Sequence, residues 1–179
     1  MKTAVMKDSN SGITKEEADR LGIILLTMPV IIDEQTYYEG INLDQSFIYE
    51  SLTEGHDVST SQPSPGDVMD MWNQILSKGY DEIIHIPMSS GLSSSCATAI
   101  GLAEDFQGKV QVADNHRISV TLRIAVMEAL HMANEGRSAR EIREDLEKRA
   151  YDSSIFLAVD DLKYLKKGGR ITPAAAALG

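Results

Sequence analysis

The sequence contains a single cysteine, Cys96, and only 6% of its residues are aromatic. One cysteine excludes an internal disulfide and any zinc site built from paired cysteines. The longest apolar run, residues 23–32, is interrupted by Thr27 and Pro29. It is too short to cross a bilayer, which takes about 20 apolar residues. Because no secretory signal is visible either, we expect a cytoplasmic protein without stable membrane insertion.

Positive charge is also scarce, since 17 Lys and Arg residues face 27 Asp and Glu residues and the net charge is −10. Nucleic-acid binding requires a surplus of cationic side chains, so we expect no nucleic-acid partner. One cluster departs from this balance and consists of Lys163, Lys166, Lys167 and Arg170. A local basic patch on an acidic chain favours an acidic partner.

What the sequence does contain is an alternation of strand and helix patterns. The predicted strands are residues 2–7, 23–32, 81–87, 109–113 and 154–159. The second of these is apolar on both faces, as a covered central strand should be, but Pro29 predicts a break or an edge within it. Helices are predicted to begin after the capping residues Thr14, Ser64 and Ser138, and three more are predicted: one at residues 43–52, one that carries Cys96, Ala99 and Leu102, and one at 118–133. The last of these is apolar on nearly every side and should be buried. The alternation predicts an α/β fold with a mostly parallel sheet covered by helices on both faces.

Three loops rich in hydroxyl groups, residues 8–11, 59–64 and 89–95, follow predicted strands or precede predicted helices. Ligands of parallel sheets bind at the carboxyl ends of the strands. Backbone N–H groups at helix N-termini favour an anion, and hydroxyls can donate to it without adding charge. Serine and threonine also cap helices and form turns, which is the alternative for any single loop. Three such loops at one edge favour a site for an anionic head group.

A serine hydrolase or acyltransferase that uses Ser93 with His116 is an alternative. Its nucleophile elbow would read Gly-x-Ser-x-Gly, but residues 91–95 lack the second glycine. Calcium-loop, P-loop, dinucleotide and His-Glu-x-x-His patterns also fail to match. The residues therefore favour a binding protein over a catalyst.

Four strings occur in an order and spacing that resemble the DegV family of bacterial fatty-acid-binding proteins. They are Asp8-Ser9-Asn10-Ser11, Thr60-Ser61-Gln62-Pro63, Ser89-Ser90-Gly91-Leu92-Ser93 and Leu162-x-x-Leu165-x-x-Gly168-Gly169-Arg170-Ile171. The chain departs from the family pattern at Asn10, Ser94 and Asn115-His116. The resemblance implies an N-terminal α/β domain, residues 1–152, that carries the carboxylate-binding loops. It also implies that residues 153–179 begin a second α/β domain, which the family continues further.

The resemblance further implies that one long acyl chain is buried while its carboxylate is held by the hydroxyl loops. By position, the residues that would hold the carboxylate are Thr60, Ser61 and Ser93, with Ser9 and Ser11 nearby. Helix 118–133 would supply a wall for the acyl chain, with Ile118, Leu122 and Met127 as the lining residues.

The family also implies a partner, a fatty acid kinase that converts the presented carboxylate into an acyl phosphate for phospholipid synthesis. Lys166, Lys167 and Arg170 would lie toward that kinase or its nucleotide. On this interpretation the chain is a non-catalytic subunit without metal or cofactor, and its ligand is the fatty acid. A lipid sensor without a kinase partner is a further alternative.

Overall fold

A computed structural model describes residues 1–159 and 161–172, which divide into two compact units. The first unit comprises Met1–Met28 and Gln62–Ile155, and the second comprises Pro29–Ser61 with the described residues from Phe156 onward. The two units are groups of residues that contact one another within this chain. The predicted boundary between domains at residues 1–152 and 153–179 stays a prediction.

The strands, in chain order, are β1 (Thr3–Asp8), β2 (Ile24–Leu26), β3 (Pro29–Ile32), β4 (Gln35–Tyr38), β5 (Val58–Thr60), β6 (Glu82–Ile86) and β7 (Val110–Val112). The α-helices are α1 (Lys15–Leu21), α2 (Gln45–Glu54), α3 (Pro65–Ser77), α4 (Ser95–Ala103), α5 (Ser119–Asn134), α6 (Ala139–Lys148) and α7 (Lys163–Lys167). Short 3-10 turns lie at Ser9–Ser11 and Glu104–Phe106.

The first unit is built on a four-stranded parallel sheet in the order β2-β1-β6-β7. Alternate residues of each strand face opposite sides, so Val5 and Ala4 enter different cores. One core joins the sheet to α1, α5 and α6, and the other joins it to α3 and α4 through Trp72 and Ala99. The predicted α/β class, with a mostly parallel sheet covered on both faces, is confirmed.

The helix starts predicted from capping residues are confirmed. They can be predicted from sequence because a cap acts between residues that are close together in the chain. The hydroxyls of Thr14, Ser64 and Ser138 each accept a backbone N–H from the third residue that follows. The capping box at Ser138 is complete. At Thr14 only the hydrogen bond from the Glu17 N–H to the Thr14 hydroxyl forms. The Glu17 carboxylate, which would complete a capping box, binds the Arg123 guanidinium instead at 2.5 and 2.7 Å.

The second unit contains a three-stranded antiparallel sheet in the order β4-β3-β5, together with α2 and α7. Asp33 and Glu34 connect β3 to β4 with φ angles of 46° and 68°, as a tight hairpin turn requires. The Asp33 carboxylate accepts the Asp57 N–H at 2.9 Å and contacts His56 Nδ1 at 2.5 Å. These contacts hold the hairpin turn against the start of β5.

The break predicted at Pro29 is confirmed, but the prediction of one covered central strand is wrong, because residues 23–32 form β2 at the edge of the first unit's sheet and β3 in the second unit. Pro29 has no N–H for a continuous parallel ladder, and its carbonyl accepts the Ser61 N–H at 3.2 Å instead. β4 and β5 were not predicted, since each is only three or four residues long and lacks a long apolar pattern.

Two further predictions require correction. Helix α5 is not buried on every side, since Val120 and Ile124 are exposed while Leu122 lies in the core. A helix packed on one sheet covers only one of its faces, whatever its composition. Residues 154–159 form no strand with any described residue, and Phe156 is 95% exposed. Within the described ranges, no helix is both long and apolar enough to cross a membrane.

Candidate functional site

The candidate site lies at the point where the order of the parallel strands reverses. The chain adds β2 on one side of β1 and then β6 and β7 on the other, so β1 and β6 are neighbours whose connections diverge. Two segments leave their carboxyl ends, residues 8–12 and 87–94, which we call the switch-point loops. Open α/β sheets bind ligands in the crevice at this point.

The Asp8 side chain connects the two switch-point loops. Its side chain is buried, and Oδ2 accepts the Met88 N–H at 3.1 Å. Oδ1 lies 3.4 Å from Nε2 of the buried His85. This connection was missed from the sequence because it becomes visible only once β1 and β6 are known to be neighbours. His85 is the fourth of the five residues of β6, and its contact with Asp8 joins the two neighbouring strands.

The first switch-point loop holds its two serines by hydrogen bonds to the surrounding chain. The half-buried Ser9 accepts the Met28 N–H at 3.1 Å. Ser11 is buried, and its hydroxyl oxygen accepts from the Lys7 ammonium at 2.7 Å and from the Ile13 N–H at 3.4 Å. Ser11 therefore lies beneath the loop surface, where Lys7 is its closest polar contact among those described.

The second switch-point loop forms a tight turn that leads into α4. Ser89 donates its N–H to the Arg117 carbonyl at 2.9 Å, and its hydroxyl accepts the Gly91 N–H at 3.2 Å. The half-buried Ser93 accepts the Ser95 N–H at 3.2 Å, which leaves its hydroxyl hydrogen to donate. Ser93 thus lies at the N-terminus of α4, where the helix dipole favours an anion.

The remaining two predicted carboxylate ligands belong to the second unit. Thr60 is the last residue of β5 and pairs in register with Val30. Ser61 follows it, and its N–H donates to the Pro29 carbonyl. Both residues are exposed. The five predicted head-group residues are therefore divided between the units, with Ser9, Ser11 and Ser93 in the first, and their shared role stays a prediction.

The three predicted acyl-chain residues do not share one face of α5. Leu122 is fully buried in the core, and Ile118, which precedes the helix, packs against the same core. Met127 lies on the outer side and lines an apolar surface hollow of about 530 Å³ with Ile124 and Met132. Their assignment to an acyl pocket stays a prediction.

The two side chains proposed for a serine hydrolase, Ser93 and His116, each contact other groups in this structure. The loop residue His116 stacks on Tyr151 with ring centroids 4.9 Å apart, and its Nδ1 lies 3.7 Å from Asp114. Among the described residues, no hydrogen bond joins His116 to Ser93. Burial raises the pKa of the Cys96 thiol to about 12, so this cysteine stays protonated at neutral pH and cannot act as a thiolate nucleophile.

The predicted partner-binding residues lie on or directly after α7, in the second unit, and all three are exposed. The Lys167 ammonium pairs with the Asp57 carboxylate and reaches the Val58 carbonyl at 3.5 Å. Arg170 donates its backbone N–H to the Leu165 carbonyl at 2.8 Å. In the part of the chain that the structure describes, no group of three or more His, Cys, Asp or Glu residues is arranged to hold a metal ion.

Comparison with known sequences identifies relatives across the whole chain. A family model described as uncharacterised protein, DegV family, matches residues 2–179. A DegV domain-containing protein of Deinococcus radiodurans is 32% identical over 180 residues, which cover 100% of this chain and 64% of that protein. A DegV domain-containing protein of Streptococcus pneumoniae is 31% identical with the same coverage. The chain thus spans about 64% of the length of the curated relatives it matches.

Solved structures give the same result. The fatty acid-binding DegV family protein of Streptococcus agalactiae superimposes with a TM-score of 0.88 at 27% identity. A DegV family protein of Thermus thermophilus, which is described as binding fatty acid, superimposes with a TM-score of 0.86 at 29% identity. DegV of Bacillus subtilis, described as a fatty acid-binding protein, gives 0.81 at 29% identity. Each match covers 100% of this chain and 64% of the solved one. This chain belongs to the DegV family.

Proposed function

We propose that this protein binds a long-chain fatty acid, holds its carboxylate at the serine and threonine loops and has no catalytic turnover of its own. The observation that carries the proposal is the similarity of the whole chain to solved DegV proteins that are described as fatty acid-binding. The hydroxyl-bearing loops at the switch point support it, because they offer donors to an anion without adding charge.

The energetics of acyl burial are consistent with a tightly held ligand. Burying ~14 methylenes at ~0.8 kcal/mol each contributes ~11 kcal/mol. Loss of translational freedom and of acyl-chain rotamers offsets much of that gain. We assign the acyl contacts to Ile118, Leu122 and Met127, and the carboxylate contacts to Thr60, Ser61 and Ser93, with Ser9 and Ser11 nearby.

The first experiment is native mass spectrometry of the full-length protein, followed by organic extraction and identification of bound lipid. Titration of stripped protein with palmitate then tests the head-group assignment. Ser93→Ala and Thr60→Ala should each weaken binding by roughly ten- to hundredfold, because each removes a hydrogen bond to a charged group. Ser90→Ala, on the same loop and exposed, is the matched control. Unchanged affinity in both variants would contradict the assignment, and failure of the unaltered protein to bind palmitate would contradict the function.

We further propose that the protein works in the cytoplasm and presents the carboxylate to a fatty acid kinase, which forms an acyl phosphate for phospholipid synthesis. The exposed basic residues Lys166 and Arg170 would face the kinase or its nucleotide. Lys167 would contribute through the same patch, although its ammonium also holds Asp57.

A reconstituted kinase reaction tests this partnership. Replacing Lys166 and Arg170 together by alanine should lower acyl phosphate formation at least tenfold while palmitate affinity stays unchanged. Lys78→Ala, an exposed lysine outside the basic patch, serves as the control. If product formation is indifferent to the double variant, the patch has another purpose and a lipid sensor without a kinase partner becomes the better interpretation.

A further inference from the structure

The first switch-point loop covers a buried lysine that the proposed head-group contacts do not include. Lys7 is the fifth residue of β1 and has 0% of its surface exposed. Lysine is among the side chains least often fully buried, because its charge loses hydration on leaving water. Its position at the carboxyl end of a central strand places this ammonium directly below the loop that carries Ser9 and Ser11.

The contacts of Lys7 determine how Ser11 can act. Its ammonium donates to the Ser11 hydroxyl at 2.7 Å and to the Ile13 carbonyl at 3.1 Å. An ammonium has donors only, so the Ser11 oxygen must accept. The Ile13 N–H also donates to that oxygen at 3.4 Å. With both lone pairs engaged, the Ser11 hydroxyl can offer only its hydrogen, and a neighbouring positive charge polarises it toward a negative acceptor.

The burial of Lys7 determines the range over which its charge acts on a ligand. In a chain of net charge −10, the long-range field repels an anion. A buried cation acts at short range and in a low dielectric, where its effect is much larger than in water.

We propose that Lys7 is a positioning residue that acts through Ser11 and makes the site select an anionic over a neutral head group on the long-chain ligand. This inference rests on the proposed function and extends it from the acyl chain to head-group selectivity. A structural role alone would stabilise the loop equally for acids and alcohols. An electrostatic role would affect only the charged ligand.

The test compares dodecanoate with dodecan-1-ol, titrated by calorimetry into the full-length protein stripped of lipid. Lys7→Met keeps the length of the side chain and removes the charge, a replacement that buried sites often tolerate. We expect its affinity for dodecanoate to fall about tenfold or more, while affinity for dodecan-1-ol changes less than twofold. Ser11→Ala should show the same selective loss, and Lys15→Met, an exposed lysine, should change neither affinity.

Each result bears on the inference. Equal losses for acid and alcohol, or no loss for the acid, in folded Lys7→Met would overturn it. If thermal unfolding shows that Lys7→Met does not fold, Ser11→Ala decides by the same criterion. Failure of the unaltered protein to bind dodecanoate would contradict the proposed function itself, and the inference about Lys7 would fall with it.

Discussion

At the scale of single residues, buried polar side chains mark where the first unit is organised around its switch point. Lys7, Asp8 and His85 are all buried within one strand pair. A fold stabilised only by apolar contacts would not place them there, because each loses hydration on burial. Lys7 and Asp8 form hydrogen bonds with the switch-point loops, and His85 faces Asp8, so together they position the segments that we assign to the head group.

His56 provides a pH-dependent prediction at the same scale. Its hydrogen bond to Asp33, and next that to Glu54, raises the pKa of the imidazole above its ordinary value of 6.5. The protonated form is therefore favoured by folding. This contribution to stability is fully present below pH 6.5 and is lost as pH rises through the higher folded pKa.

An NMR titration of the histidine ring protons measures this effect directly. We expect His56 to titrate above 6.5 and Asp33→Asn to shift its pKa downward, because that variant removes the charge but keeps the amide oxygen for the Asp57 N–H. Glu34→Gln, in the same turn, is the control. A His56 pKa that does not respond to Asp33→Asn would contradict the prediction.

At the scale of elements, capping contacts predict where helices begin. In α6, the Ser138 hydroxyl accepts the Glu141 N–H at 3.2 Å, and the Glu141 carboxylate accepts the Ser138 N–H at 2.8 Å. Ser138→Ala should lower the free energy of unfolding by about 1 kcal/mol. Urea denaturation measures this, with the exposed Ser154→Ala as control. Equal stability of the two variants would show that the cap contributes little.

Helix α5 tests how one element divides its residues between core and surface. Leu122 is fully buried and Ile124 is 48% exposed, although both are large and aliphatic. Leu122→Ala should lower the free energy of unfolding by about 2–5 kcal/mol, because it leaves a cavity between helix and sheet. Ile124→Ala should lower the free energy of unfolding by less than about 1 kcal/mol. Comparable losses, measured by urea denaturation, would mean that the outer face of α5 is covered in solution.

At the scale of the whole molecule, stability should be highest at the centre of the parallel sheet. β1 and β6 each have a strand on both sides and helices over both faces. Their amides should therefore exchange with deuterium slowest, whereas residues 154–159, which are exposed and form no strand, should exchange fastest. Hydrogen-exchange mass spectrometry of the full-length protein measures both. Rapid exchange in β1 would contradict this order.

The predictions from sequence that were confirmed depend on neighbours within a few residues. The starts of α1, α3 and α6 were predicted because each cap acts across three residues. The break at Pro29 was predicted, but not that its two sides belong to different sheets, because the apolar pattern is the same whether residues 23–32 serve one sheet or two. Of the site, the serines and their loops were predicted, but not the buried groups that hold them.

By itself, the sequence determined the α/β class, the helix starts and the position of the hydroxyl-bearing loops, since hydrophobic periodicity and capping are local properties. Only the tertiary structure decided that β1 lies beside β6, which brings Asp8 to Met88 across 80 residues of chain. It also decided that the Lys7 ammonium is buried under Ser11, because burial depends on the helices that cover the strand. Contacts between distant segments form only when the apolar faces of several elements pack together, and no local pattern specifies them.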